Sequence, residues 1–288
     1  ISGAWNVHEE NFFKKLEPIL SHLSLKASYS LTADRGPADV INSTAIFKAN
    51  TPYRPFSNDK EVGLIKEDNE NSDLTYEKKH ELNIGIDFGL LKNRINVTFD
   101  YYRRNNYDLI GPVNTQGIGG FTTEYANMAS MRSYGEELSI STKNIDGDDF
   151  KWETSFIFSH SKNTISDLLS KARVIDLVTG NGFAMEGYPV RALFSIPFVG
   201  LDENGYPLLK NEKGEITSTD IDFQNRTNTS YLHYEGPTDP TINGSFGNMF
   251  YYKGFRLNVF ITFSGGNKVR LDPAFSASYN DLSSMTKD

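Results

Sequence analysis

The sequence predicts an all-β chain, an antiparallel β-barrel of the transmembrane kind, on three observations. Apolar and polar residues alternate without a slip through several segments, as they must where a strand has one buried and one wet face. Short polar turns join these segments in pairs, whereas the pairs are separated by connections far longer than compact soluble domains use. The composition is that of strands, with 13% aromatic residues, 15 Tyr and 23 Gly beside a hydrophobic fraction of only 38%. No run of about 18 apolar residues is present, so a barrel is the remaining way to cross a bilayer.

In chain order, Leu23, Leu25, Ala27 and Tyr29 mark a first, weaker strand that stops before the breaker Asp34-Arg35-Gly36-Pro37. The clearest element is Glu81 to Leu90, where Leu82, Ile84, Ile86, Phe88 and Leu90 alternate with Asn83, Gly85, Asp87 and Gly89. After a turn at Lys92 to Arg94, the pattern resumes as Ile95, Val97, Phe99 and Tyr101, which makes a hairpin. Leu138 and Ile140 alternate with Glu137, Ser139 and Ser141, and an Asp/Gly-rich turn at Asn144 to Asp149 leads to Trp152, Thr154, Phe156 and Phe158. A third hairpin turns at Tyr252-Lys253-Gly254, and its return strand puts Phe255, Leu257, Val259, Ile261 and Phe263 on one face and Arg256, Asn258 and Thr262 on the other. The three short turns are expected on the periplasmic side. The excursions at about 35–79, 108–133 and 163–240 are expected as extracellular loops.

A soluble antiparallel sandwich would alternate in the same way. Strand pairs of about ten residues or more favour the membrane, since a tilted spanning strand needs that length. Aromatics also gather near strand ends, Trp152, Tyr251, Tyr252 and Phe255 beside the turns and Tyr101 and Tyr102 toward the opposite end, as interfacial girdles would. The polar faces carry Gly85, Gly89, Ser139, Ser141, Ser155 and Ser159, too small to fill an interior. That points to part of a wide barrel of about 22 strands around a separate plug, not to a small barrel packed by its own side chains. About seven or eight strands are countable, and Thr286-Lys287-Asp288 follows them without a closing strand, so a piece of such a barrel is expected.

Charge and composition exclude several function classes. A formal net charge of −8 without a basic stripe excludes nucleic acid as a partner. The absence of Cys removes thiolate nucleophiles and Cys-zinc sites. His8-Glu9-Glu10 and His80-Glu81 lack the second His of a zinc-binding helix. Gly117-Ile118-Gly119-Gly120 is followed by no helical pattern that could hold a phosphate. Asp146-Gly147-Asp148-Asp149 reads as a solvated turn and not as an acid/base pair. Asp202-Glu203-Asn204-Gly205 and Asn211-Glu212-Lys213-Gly214 look like two tight turns; the first has the oxygens for calcium but lacks the closing Glu of a calcium loop, so no cofactor is expected.

Candidate ligand-binding residues are the aromatics of the long excursions, Phe121, Tyr125, Tyr188 and Tyr206, whose faces could stack on sugar rings or peptide side chains. Arg132 and Arg191 could pair with a ligand carboxylate, although single loop arginines usually form local salt bridges.

Particular segments resemble a family. They are Ser2-Gly3-Ala4-Trp5 with Glu9-Glu10-Asn11-Phe12, Leu25-Lys26-Ala27-Ser28-Tyr29-Ser30, Tyr76-Glu77 before Asn83-Ile84-Gly85-Ile86-Asp87-Phe88, and Asp100-Tyr101-Tyr102. Asn127-Met128-Ala129 then leads to Tyr134-Gly135-Glu136-Glu137-Leu138, and Gly187-Tyr188-Pro189 leads through Gly200-Leu201-Asp202 to Gly205-Tyr206-Pro207. Pro240 through Gly244, Asn248 and Tyr252-Lys253-Gly254-Phe255 close the set. In this order they make nearly the whole chain similar to the late-barrel region of SusC/RagA-like TonB-linked outer-membrane transporters of Bacteroidetes. Tyr134 departs from the Lys or Arg expected there, and Arg132 lies two residues earlier.

The resemblance implies a bacterial outer-membrane location, a plug inside the barrel, energy from the TonB complex through an N-terminal segment, and a SusD-like surface lipoprotein as lid. It implies import of a bulky oligosaccharide or peptide and no covalent chemistry. A siderophore importer of the same mechanical type, a β-rich glycan-binding module and a carbohydrate-active enzyme are the other classes to separate.

Overall fold

A computed structural model describes residues 1–16, 19–37, 44–50, 62–117 and 120–271. Parts of the first expected excursion, Ile118 and Gly119 of the glycine motif, and Thr286-Lys287-Asp288 lie outside the described residues.

In chain order the strands are β1 (Ser2–Asn6), β2 (Leu20–Asp34), β3 (Ile46–Asn50), β4 (Gly63–Asp68), β5 (Glu77–Leu90), β6 (Ile95–Asn114), β7 (Thr123–Asp146), β8 (Phe150–Leu168), β9 (Ala192–Ser195), β10 (Phe198–Leu201), β11 (Pro207–Lys210), β12 (Ile216–Thr217), β13 (His233–Pro237), β14 (Ile242–Tyr252) and β15 (Phe255–Gly265). One short helix, α1 (Val174–Val178), precedes β9. Eight strands form one antiparallel sheet in the order β1-β2-β5-β6-β7-β8-β14-β15, open at β1 and β15. The chain divides into two compact units. The first holds this sheet. The second is built from Arg173–Phe183 and Arg191–Asp239 with a segment starting at Asn267.

In the sheet unit, the alternation read from the sequence sets the register. Leu90 opposes Ile95 across the turn, and the ladder continues to Lys78 opposite Tyr107. The last hairpin closes through Lys253 and Gly254 at φ 42 and 91. Two consecutive positive φ values are those of a type I′ turn, whose twist matches that of the flanking strands. β14 pairs β15 over its full length, from Tyr252↔Phe255 to Ile242↔Gly265.

The strands are longer than the pattern suggested. β6 runs to Asn114 and β7 starts at Thr123, so most of the excursion expected at 108–133 is paired strand. Gly111 and Pro112 read as loop residues, yet each has a ladder partner, Ala126 and Tyr125. A bulge between Asn106 and Leu109 contains Asp108 at φ 58, and Lys78 pairs with its carboxylate at 2.7 Å. The excursion at 35–79 contains the β3–β4 hairpin and the start of β5. That at 163–240 begins with the end of β8.

The sheet unit has little interior of its own. Among the described residues its buried apolar side chains are Val7, Phe13 and Ile165, whereas Ile84, Leu257 and Ile261 are half exposed or more. A sandwich covers one sheet face with a second sheet. Among the described residues the eight-stranded sheet meets no such layer within its unit.

The second unit does have a core. Val174 and Leu177 of α1, Ala192, Leu193 and Phe194 of β9, and Leu232 are buried together with Asn211. β9 pairs β13, and β10, β11 and β12 form a small three-stranded sheet.

Candidate functional site

The sheet has two chemically distinct faces, and residues two apart along a strand share one. On one face the cross-strand row Leu25–Ile86–Phe99–Leu138–Phe158 is followed by Leu23–Phe88–Val97–Ile140–Phe156. Leu257, Val259, Ile261 and Phe263 extend that face onto β15, as the alternation required. The opposite face carries the row Lys26–Gly85–Asp100–Glu137–Ser159 and, beyond it, Ser28–Asn83–Tyr102–Gly135–Ser161. This second face is not uniformly polar, since Ile157 and Phe260 lie on it.

The polar face is organised by ion pairs. The Arg104 guanidinium donates to both oxygens of Glu81, at 3.0 and 3.2 Å. Lys79 approaches the same carboxylate at 2.9 Å and the Asn83 amide donates to it at 3.2 Å. Arg104 also lies over the Tyr102 ring, 5.3 Å from its centroid. Lys26 pairs with Asp87. Glycines admit the larger neighbours: a Cβ on Gly135 would sit 2.6 Å from the Tyr102 ring and 2.7 Å from the His160 carbonyl. The ring therefore lies across Gly135, an aromatic covering a glycine in the adjoining strand. This face offers fixed charges and hydrogen-bonding groups to a polar surface or solute.

The six sequence-predicted ligand residues are divided between the two units. Thr115 donates its hydroxyl to the Phe121 carbonyl at the end of the β6–β7 hairpin. Tyr125 is 42% exposed on β7, and its carbonyl accepts from Asn71 at 2.7 Å. Arg132 is exposed on β7 but shares the face of Tyr134 and Leu138, away from the polar face. Tyr188 precedes Pro189, and its carbonyl accepts from the Ile165 amide at 2.9 Å. These four belong to the sheet unit.

Arg191 and Tyr206 belong to the second unit. Arg191 forms a two-pronged pair with Asp239, so its guanidinium is occupied locally. Tyr206 is 64% exposed at the β10–β11 turn. The Asp202 side chain accepts from the amides of Asn204 at 2.9 Å and Tyr206 at 2.8 Å. Asn211 repeats this at the β11–β12 turn, accepting from Lys213 at 3.0 Å and Glu215 at 2.9 Å. Both turns are thus held by a side chain mimicking a backbone carbonyl.

Sequence reasoning missed the Glu81–Arg104–Lys79 cluster, although the register counted back from Leu90↔Ile95 places Glu81 opposite Arg104. It also missed Tyr231, whose hydroxyl is pushed above its usual range by burial, with Glu212 and Asp222 adding to the effect. Arg270 was missed too; it donates to the Phe194 carbonyl at 2.9 Å and to that of Val178. These last contacts join positions distant in sequence, and no local pattern announces them.

One group of the second unit makes its stability pH-dependent. The Arg173 guanidinium and backbone N–H bond to Asp176 and hold its carboxyl below the usual aspartate range. A folded pKa depressed below its unfolded value gives stability that is present above the unfolded value and lost as pH falls through the folded one. Protection of the Val174–Val178 amides against hydrogen exchange should therefore fall below about pH 4. Asp176→Asn should remove that acid dependence while lowering protection at neutral pH. Identical pH profiles for the two proteins would refute the assignment.

The family model described as TonB dependent receptor-like, beta-barrel matches residues 13–209. The chain is 27% identical over 281 residues to TonB-dependent receptor P3 of Formosa agariphila, covering 92% of this chain and 28% of that protein. It is 28% identical over 287 residues to TonB-dependent receptor SusC of Bacteroides thetaiotaomicron, covering 93% and 27%. In fold it is similar to a solved structure titled the RagAB peptide transporter, with TM-score 0.73 and 24% identity over 92% of this chain and 28% of that one. The chain thus spans little more than a quarter of the length of these relatives.

Proposed function

Because the chain belongs to the TonB dependent receptor-like β-barrel family, we propose that it forms an arc of the wall of an outer-membrane importer for a bulky oligosaccharide or peptide. The observation that carries this reading is the two-faced sheet. Its apolar rows suit lipid, while the Glu81–Arg104–Lys79 and Lys26–Asp87 groups suit a polar interior. The relatives are receptors and transporters, not enzymes, and the barrel wall performs no covalent chemistry.

In this reading the polar face meets the plug or the passing ligand, and the long excursions face outward. A SusD-like lipoprotein covers the mouth, and the TonB complex supplies energy through another segment of the protein. Tyr206 and Tyr125 are the exposed aromatics best placed to stack on a ligand. Phe121 and Tyr188 line the same excursions. Arg191 shapes its loop through Asp239 and contacts ligand only if that pair opens.

The test uses the intact transporter in its own membrane. Uptake of labelled oligosaccharides, peptides and iron-siderophore should be compared with and without a protonophore, while co-purification of a surface lipoprotein is followed separately. Tyr206→Ala and Tyr125→Ala should each weaken ligand capture by about 0.5–1.5 kcal/mol if the rings stack without lowering surface expression. Uptake of iron-siderophore alone, with no lipoprotein bound, would replace the reading with siderophore import. Unchanged uptake in both variants would move the capture surface elsewhere.

A further inference from the structure

Past the last apolar row on β6, β7 and β8, the lipid-suited face changes character. Four residues beyond Phe99, Leu138 and Phe158 stands the row Arg103–Tyr134–Lys162, and the next row is Asn105–Arg132–Thr164. Arg103, Arg132 and Lys162 are all exposed. Lys78 on the same face is taken up by Asp108 at 2.7 Å, but among the described residues no carboxylate pairs with any of these three. Glu136 lies one row nearer the apolar band, opposite Tyr101 and His160, and Asp167 stands opposite Ser130 one row farther out. Neither forms an ion pair with the three cations.

Aromatic groups continue the level sideways. Tyr29 donates to or accepts from His80 at 3.1 Å, and the Tyr107 ring meets His80 edge-on at 5.3 Å. Four residues along a tilted strand rise about 10 Å, which carries the cations from the middle of the apolar band to its outer edge, within a long side chain's reach of the headgroup layer. This is the end of the sheet from which the long excursions leave.

We infer that Arg103, Arg132 and Lys162, grouped around Tyr134 on the outward face, dock the phosphate of an outer-leaflet lipid headgroup. The inference rests on the membrane-wall reading above. Guanidinium and ammonium groups left without carboxylates suit a phosphate, and the apolar rows directly below suit the acyl chains of the same molecule. A lipid satisfies both requirements, whereas a free anion satisfies only the first.

The experiment uses the full-length transporter in nanodiscs, with phosphorylated lipid A and the same lipid after phosphatase treatment as probes. Lipid bound to the protein is read by native mass spectrometry. Replacing all three cations together (Arg103→Gln, Arg132→Gln, Lys162→Gln) should weaken retention of the phosphorylated lipid on the order of a hundredfold, at about fivefold per cation. Arg103→Lys with Arg132→Lys should restore most of it. Equal retention of both lipids, unchanged retention by the triple variant, or full displacement by inorganic phosphate would each overturn the inference. Spin labels at Ile84 and Ile86 separate the two levels: labels open to aqueous quenchers sink the wall reading, whereas lipid-buried labels without phosphate preference sink only the headgroup site.

Discussion

Ile86→Lys is expected to destabilise the inserted barrel by about 2–4 kcal/mol, the cost of a charge at mid-depth on a lipid-facing strand. Ile86 lies between Leu25 and Phe99 in a row that continues through Leu138 and Phe158, so apolar neighbours surround the new ammonium on both sides. Along β5 the apolar Leu82 and Ile84 lie on one side of Ile86 and Phe88 and Leu90 on the other, so the side chain cannot snorkel cheaply to either interface. Ser139→Lys is the control: it stands on the opposite face, between Thr98 and Ile157, where the same charge meets the polar interior. Reversible urea titration of the full-length protein in vesicles should separate the two variants by most of that 2–4 kcal/mol range. Equal midpoints, or a larger loss for Ser139→Lys, would reverse the facing of the whole sheet.

Phe194→Ala is expected to cost about 3–5 kcal/mol, all within the second unit. Phe194 is 2% exposed, its ring meets that of Tyr234 at 5.6 Å, and it sits between the buried Leu193 and the turn into β10. Truncation removes the largest apolar group of a small core made with Val174, Leu177, Ala192 and Leu232, and little else there can collapse into the gap. Hydrogen exchange should show the amides of β9 and β13 opening early while β5 to β8 keep their protection. If protection were lost evenly over both regions, the two units would unfold as one, contrary to the second unit having a core of its own.

The legible part of the fold was the part governed by local rules. Period-two alternation and a tight turn place Leu82 to Tyr101 in one hairpin without any other information, and alternation likewise marks Phe255 to Phe263 as the return strand after the turn at Tyr252-Lys253-Gly254. The excursions hold more paired strand than their turn-forming residues suggest. Gly111 and Pro112 sit in a continuing ladder, whereas the two tight turns read at Asp202–Gly205 and Asn211–Gly214 are present, each held by a side chain. A core such as Val174, Leu177 and Ala192 to Phe194 has no face-wide period to betray it, since its members come from a single helical turn and a four-residue strand buried on both sides. The candidate residues fared likewise. Exposure of Tyr206 follows from its turn, but Arg191 being held by Asp239, 48 residues later, depends on how distant segments return to one another.

The order of the eight-stranded sheet departs from chain order at only two places, and at each the chain leaves one strand and comes back to the adjacent position: β2 to β5, and β8 to β14. Whatever lies between is therefore an insertion bounded by neighbours, and its length is not tied to the stagger of the wall. Closing a loop twice as long costs only about 0.6 kcal/mol more. An evolving lineage can exchange the whole cassette between Leu168 and Ile242 for one of different size and chemistry while the strand register beneath stays fixed. If the proposed capture surface lies in that cassette, specificity is free to diverge over an architecture that hardly changes, and uptake by chimaeras cut at these two residues tests it.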